Sequence, residues 1–100
     1  MSSSLLELGD PRVQQVRVET EALVVDLQDG RSLAVPLSWY PRLWHATVEE
    51  RQQWRLIGNG TGIYWSSVDE DISVRGLLAG KPSNERPESL KRWLSERKGG

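Results

Sequence analysis

Cysteine and phenylalanine are both absent from this chain. Without cysteine there are no disulfides, no thiolate chemistry and no cysteine-built zinc site. Without phenylalanine, tryptophan and leucine must fill most of any core. Histidine occurs once, as His45, with no second His or Cys to complete a zinc set. No apolar run approaches the ~20 residues that span a bilayer. The N-terminus, Met-Ser-Ser-Ser-Leu-Leu-Glu-Leu, lacks a basic lead and carries an acid at Glu7, unlike a signal peptide. A cytoplasmic protein without membrane association is the simplest expectation. No internal repeat and no low-complexity tract interrupts the chain.

What is present is a 100-residue chain with 37% hydrophobic residues and five tryptophans. That length accommodates one domain and one modest core. Four of the tryptophans fall between Trp39 and Trp65. Each large ring buries about 150–250 Å² and offsets the low apolar fraction. Charge is unevenly spread. Lys81, Arg86, Lys91, Arg92, Arg97 and Lys98 outnumber Glu85, Glu88 and Glu96, so residues 81–100 are basic and the rest is acidic, against an overall net charge of −1. An acidic body is a poor surface for nucleic acid, whose affinity comes from neutralised phosphates. The basic tail is the one part suited to an anionic partner, although such tails are usually solvated.

After a leader over residues 1–12, apolar residues alternate strictly. Val16 and Val18, then Leu23, Val25 and Leu27, then Leu33, Val35 and Leu37 mark three half-buried strands. Turn chemistry sets their register. A turn centred on Thr20-Glu21 pairs Val18 with Leu23 and Val16 with Val25. A three-residue loop, Gln28-Asp29-Gly30, with Gly30 left-handed, sets Leu27 opposite Arg31, Val25 opposite Leu33 and Leu23 opposite Val35. A two-residue loop would move the apolar set to the wrong face. Arg17, Asp26 and Ser32 then face water.

Pro36 ends the third strand. Ser38 is the expected N-cap of a short helix running through His45, with Pro41 in its first turn. On such a helix Tyr40 and Trp44 share a face. Thr47-Val48-Glu49-Glu50 has the spacing of a capping box. Asn59-Gly60 is a strong hairpin signal, and a two-residue loop pairs Leu56 with Ile63 and Trp54 with Trp65. Ile72 and Val74 suit a further short strand, and Ser73 a cap for a last turn carrying Leu77 and Leu78, closed by Gly80. Beyond it, Leu90, Trp93 and Leu94 have helical spacing within residues 88–98.

Several constellations suggest chemistry, and each has a plainer reading. Asp69, Glu70 and Asp71 carry hard oxygen ligands, but a calcium cage wants six to eight oxygens and no ligand loop flanks them. A solvated turn, meeting a basic partner or the basic tail, fits better. Gly58-Asn59-Gly60-Thr61-Gly62 lacks the Gly-Lys-Ser/Thr ending and following helix of a phosphate loop. His45 has no nucleophile-elbow motif to serve. Trp39, Tyr40 and Trp44 are core candidates one by one, with at least one expected at a rim, where Trp and Tyr anchor interfaces. Trp93, with Leu90 and Leu94, would dock on its own domain, dock on a partner, or stay unfolded.

The stretches Leu23–Arg31 (Leu-Val-Val-Asp-Leu-Gln-Asp-Gly-Arg), Val35–Leu43 (Val-Pro-Leu-Ser-Trp-Tyr-Pro-Arg-Leu), Gly62–Trp65 (Gly-Ile-Tyr-Trp) and Val68–Val74 with Leu77-Leu78 occur here in order. In them the chain resembles the small bacterial proteins of Domain of Unknown Function family 2442. The resemblance covers roughly residues 13–80. It implies an α+β domain in the bacterial cytoplasm and offers no catalytic residues. Some relatives are fused to a helix-turn-helix reader; others sit beside a second small protein in a toxin–antitoxin-type pair. Twenty residues after Gly80 are too few for such a reader, which argues against a repressor.

The expectation is therefore an α+β fold: a three-stranded antiparallel meander, a short helical segment and a second hairpin over residues 13–80, then a basic tail, flexible or helical. The leading function is a non-enzymatic protein-interaction module, the partner-binding half of a toxin–antitoxin-like gene pair, without cofactor or metal. Its contact residues would be Trp39, Tyr40, Trp44, Asp69, Glu70, Asp71 and Trp93. Homodimerisation through exposed hairpin edges is a further option. The alternatives are a small carboxylate- or cation-dependent enzyme and nucleic-acid contact through the tail.

Overall fold

The structure, a computed structural model, describes residues 11–99. Most of the leader, residues 1–10, lies outside the described residues. Strands β1 (Val13–Val18), β2 (Ala22–Leu27) and β3 (Ser32–Pro36) form one antiparallel sheet in the order β1-β2-β3. A 3-10 turn (Leu37–Trp39) and two single-turn helices, α1 (Pro41–Trp44) and α2 (Val48–Arg51), lead to a second antiparallel sheet, β4-β5-β6. Its strands are β4 (Trp54–Ile57), β5 (Gly62–Trp65) and β6 (Glu70–Ser73). Helices α3 (Val74–Leu78) and α4 (Pro87–Gly99) complete the chain. The architecture is the expected α+β class. The further short strand expected at Ile72 is β6, paired with β5, but Val74 begins α3 instead of extending it, and the tail is helical.

The meander has the register that turn chemistry dictates. Val18 pairs with Leu23 and Val16 with Val25; across the next turn Leu23 pairs with Val35 and Val25 with Leu33. Gly30 has φ +97°, and the Leu27 amide donates to the Arg31 carbonyl at 2.8 Å. One irregularity was not legible in the alternation: the register shifts between Val13 and Gln15, so Gln14 is an extra residue in β1. On the outer face Arg17 and Ser32 both donate to the Asp26 carboxylate, at 3.3 and 2.6 Å. The Ser32 hydroxyl, with Arg17 beside it, holds that carboxyl below its usual range.

The 37–45 segment departs from expectation. Ser38 does not cap a helix. It lies inside the 3-10 turn, whose N-cap is Pro36, and α1 begins afresh at Pro41. The cause is Pro41, whose ring disfavours helical geometry at the preceding residue. Tyr40 takes φ −124°, ψ 87° and interrupts the helix. Tyr40 and Trp44 therefore do not share a face: Tyr40 is 3% exposed and Trp44 44%. The capping box forms, with Thr47 and Glu50 exchanging side chain-to-amide bonds at 2.9 and 3.1 Å.

Both sheets contribute to one core. Val16, Leu23, Val25 and Leu27 meet Ile63, Trp65 and Ile72, with Leu37, Tyr40, Leu43, Val74 and Leu77 packed among them. Trp65 is fully buried and donates its indole N–H to the Arg51 carbonyl at 2.9 Å. Trp54 lies opposite it in the ladder and is half-buried at the edge. The Asn59-Gly60 turn has positive φ at both residues, 60° and 92°, as a hairpin of this hand needs. Ser73 caps α3 through the Gly76 amide at 2.9 Å. Gly80, at φ +70°, closes that helix.

Candidate functional site: a clasped face at the tryptophan-rich segment

Tyr64 on β5 faces Asp71 and Trp65 faces Glu70 on β6. Side chains alternate across a sheet, so Glu70 lies on the core side with Trp65, and Asp71 on the outer side with Tyr64. The three acids therefore divide. Asp69 occupies the tight turn at φ +52° and accepts from the Tyr64 hydroxyl at 3.2 Å. Asp71 is exposed, whereas Glu70 is only 9% exposed. The expectation that all three stay solvated fails at Glu70, because the β5–β6 register turns it inward. Burial is the main force raising its carboxyl, to about 7; Glu85 adds to this, Arg42 opposes it, and Asp71 and Asp69 add less.

Arg42, on α1, organises this corner. Its Nε donates to Glu85 Oε1 at 2.7 Å and its Nη1 to the Val68 carbonyl at 3.0 Å. The two ion-pair partners are mostly buried, with side chains 17% and 9% exposed. Desolvation pushes the Glu85 carboxyl up, but hydrogen bonds from Ser89 and Arg42, with the charge of Arg42, hold it below its usual range. Glu85 precedes α4, so this pair ties the tail to the body. Nearby, the Ser83 amide donates to the Trp39 carbonyl at 3.0 Å and the Tyr40 hydroxyl to the Lys81 carbonyl at 3.3 Å. The Tyr40 phenol is raised by burial and by the Glu70 charge.

A second tether lies further along the tail. Arg97 on α4 pairs with Glu50 on α2, Nη2 to Oε1 at 2.7 Å. The bond from Arg97, together with the Thr47 amide, takes the Glu50 carboxyl down to about 2. Between the tethers stands the Trp93 ring, with the Arg42 guanidinium 5.1 Å and the Arg97 guanidinium 4.6 Å from its centroid. Trp93 also packs against the core. Of the three fates open to the tail, the structure shows docking on its own domain. The two tethers have opposite polarity: the body offers a cation to Glu85 and an anion to Arg97. Lys91 and Arg92 lie on the exposed side of α4, flanked by Glu88 and Glu96.

Among the predicted contact residues, Trp39, Tyr40, Glu70 and Trp93 thus belong to one region. Asp69 and Asp71 are on the far face of the second sheet, and Trp44 stands apart, exposed. The sequence reading missed Arg42, Glu85, Glu50 and Arg97, whose links span 43 and 47 residues and carry no local signal. Among the described residues no group of three or more His, Asp and Glu is placed to hold a metal ion. No helix among them is long and apolar enough to cross a membrane.

The family model described as Protein of unknown function (DUF2442) matches residues 13–83. The chain belongs to the DUF2442 family. No curated protein matches it. A crystal structure of a protein of unknown function from Rhodospirillum rubrum is similar to this DUF2442 chain, with 28% identity and a TM-score of 0.67, over 77% of this chain and 95% of that one. A solution NMR structure of an uncharacterized protein from Chromobacterium violaceum is also similar, with 25% identity and a TM-score of 0.65, over 96% of this chain and 86% of that one. The family match ends at residue 83. The DUF2442 body therefore contains Trp39, Tyr40, Arg42, Glu50 and Glu70, while Glu85, Trp93 and Arg97 lie beyond it.

Proposed function

We propose that this protein is a non-enzymatic protein-interaction module of the bacterial cytoplasm, the partner-binding member of a two-gene pair of the toxin–antitoxin kind. The gene-pair part rests on the family resemblance alone. The observation that carries the interaction reading is Trp44, 44% exposed and followed by Val48, 65% exposed, at the start of α2. Trp is the residue most often found to dominate binding at interfaces. This one sits on a fixed backbone, since Arg51 donates to its carbonyl at 2.9 Å. A rigid anchor loses little freedom on binding. The test is co-expression with the product of the adjacent gene, followed by affinity measurement. Trp44→Ala should weaken the complex by at least tenfold, about 1.4 kcal/mol, while leaving the melting temperature nearly unchanged. A complex as tight as the wild type's would remove Trp44 from the contact and the reading with it.

One observation favours a second reading, an acid–base enzyme. Glu70, with its carboxyl near 7, is poised to take or give a proton at neutral pH. Thermal-shift screening against small carboxylic, phosphorylated and cationic ligands tests it. A ligand-induced shift that vanishes in Glu70→Gln would support this reading.

A further inference from the structure

The docked tail shows what its docking face accepts. The face presents the Arg42 cation, the half-buried Trp39 and the Glu50 anion. The tail answers with a carboxylate at Glu85, a flat ring at Trp93 and a cation at Arg97. These tail residues are outside the family body, which ends at residue 83. The connection from α3 to α4 runs through Gly80, whose Cβ position is open, and residues 81–86 form no helix or strand. Leu90 and Leu94 on α4 are only half-buried in the docked state. The attachment thus rests on two ion pairs, the Trp93 ring packed against the core, and two bonds between the short lead and the body, from the Ser83 amide to the Trp39 carbonyl and from the Tyr40 hydroxyl to the Lys81 carbonyl. Such a segment holds its site mainly through high effective concentration.

We propose that residues 81–97 are a built-in competitor that covers the face of Trp39, Arg42 and Glu50, and that a partner's helical segment carrying a carboxylate for Arg42 and an aromatic ring beside it takes this face by displacing them. The occupant is set by complementarity: Arg42 needs an acid, Glu50 needs a base, and the space between takes a ring flanked by guanidinium groups. The inference rests on the interaction-module reading, with the tail deciding when this face is available.

A synthetic peptide of residues 81–99 serves as the probe, titrated into the full chain and followed by amide shifts around Trp39 and Arg42. Wild-type chain should bind it weakly, because its own tail occupies the face. Trp93→Ala and Glu85→Gln chains, with loosened tails, should each bind it at least tenfold more tightly. Removing the peptide's own Glu85 carboxylate and Trp93 ring should abolish binding. Circular dichroism confirms that both variants fold. Equal binding by wild type and variants, or no binding by any up to roughly millimolar peptide, the effective-concentration range of a short tether, overturns the proposal. So does a wild-type dimer in light scattering that dissociates in both tail variants, since the occupant would then be the tail of a second copy. Peptide binding without partner capture through Trp44 would keep this inference and discard the functional reading. Equal partner capture by wild type and Trp93→Ala would do the reverse.

Discussion

Trp65 donates its indole N–H to the carbonyl oxygen of Arg51, and the Arg51 guanidinium donates to the carbonyls of Leu43 and Trp44. One buried ring therefore anchors the residue that closes α1, and α1 carries the exposed Trp44. Trp65→Phe keeps an aromatic ring but leaves the Arg51 carbonyl without its donor and a void where the indole was. Loss of about 2–3 kcal/mol is expected in urea unfolding, from the orphaned carbonyl and the void together. Trp54→Phe, half-buried at the edge, should cost less than about 1 kcal/mol. Similar losses in the two variants would mean that the Trp65–Arg51 bond is not what holds α1.

The Arg42–Glu85 pair should be asymmetric. Arg42→Ala leaves two carboxylates, Glu85 and Glu70, in a poorly solvated corner without their cation. A loss near 3 kcal/mol is expected, as when one partner of a buried pair is removed. Glu85→Ala leaves Arg42 with the Val68 carbonyl and with Glu70 to balance its charge. About half that loss is expected. Removing Glu85 also removes a charge that raises the Glu70 carboxyl, so its NMR titration midpoint should fall. A midpoint that stays near 7 would show that burial alone sets it.

How far all this was legible from residues alone depends on sequence distance. The meander was, because alternation from Val16 to Leu37 and the Gly30 turn are local constraints and agree on one face. The Asn59-Gly60 hairpin was legible for the same reason. The helical spacing of Tyr40 and Trp44 points to a shared face, but the ring of Pro41 keeps Tyr40 out of helical geometry. The inward turn of Glu70 needed the β5–β6 register, which depends on Asp69 adopting a left-handed conformation between two strands. Aspartate tolerates that conformation, so a signal existed, but it is weak beside the expectation that charges stay in water. The tail clasp could not be read at all: Glu50 advertises a capping box, and nothing near it points to Arg97.

Stability should peak on the acid side of neutrality. Glu70 is raised from 4.5 to about 7. Its contribution is complete below 4.5 and is lost as pH rises through 7, because the folded state resists ionising it. Glu50 is lowered from 4.5 to about 2. Its contribution is complete above 4.5 and is lost as pH falls through 2. Thermal melts from pH 2 to 9 should therefore rise to a maximum near 4.5 to 5 and then decline toward 8. Arg42, Glu85, Asp69, Asp71 and Tyr40 face Glu70, so the variant Glu70→Gln is what separates its share of the decline from theirs. In Glu70→Gln the decline should vanish while the acid limb remains. A decline of unchanged size in that variant would refute the assignment.

Gly30 offers a clean test of what sets the meander's register. It has φ +97°, and a Cβ placed there meets no atom within 4 Å. Gly30→Ala therefore changes backbone preference without changing packing. A left-handed alanine costs about 1–2 kcal/mol, so a loss of that size is expected in urea unfolding. The pairing of Leu23 with Val35 should survive, because any slip would expose Leu23, Val25 and Leu27 together. Cross-strand nuclear Overhauser contacts between Leu23 and Val35 in the variant would show the register intact. If those contacts vanish while the chain stays folded, the turn glycine rather than the buried face dictates how β2 and β3 align.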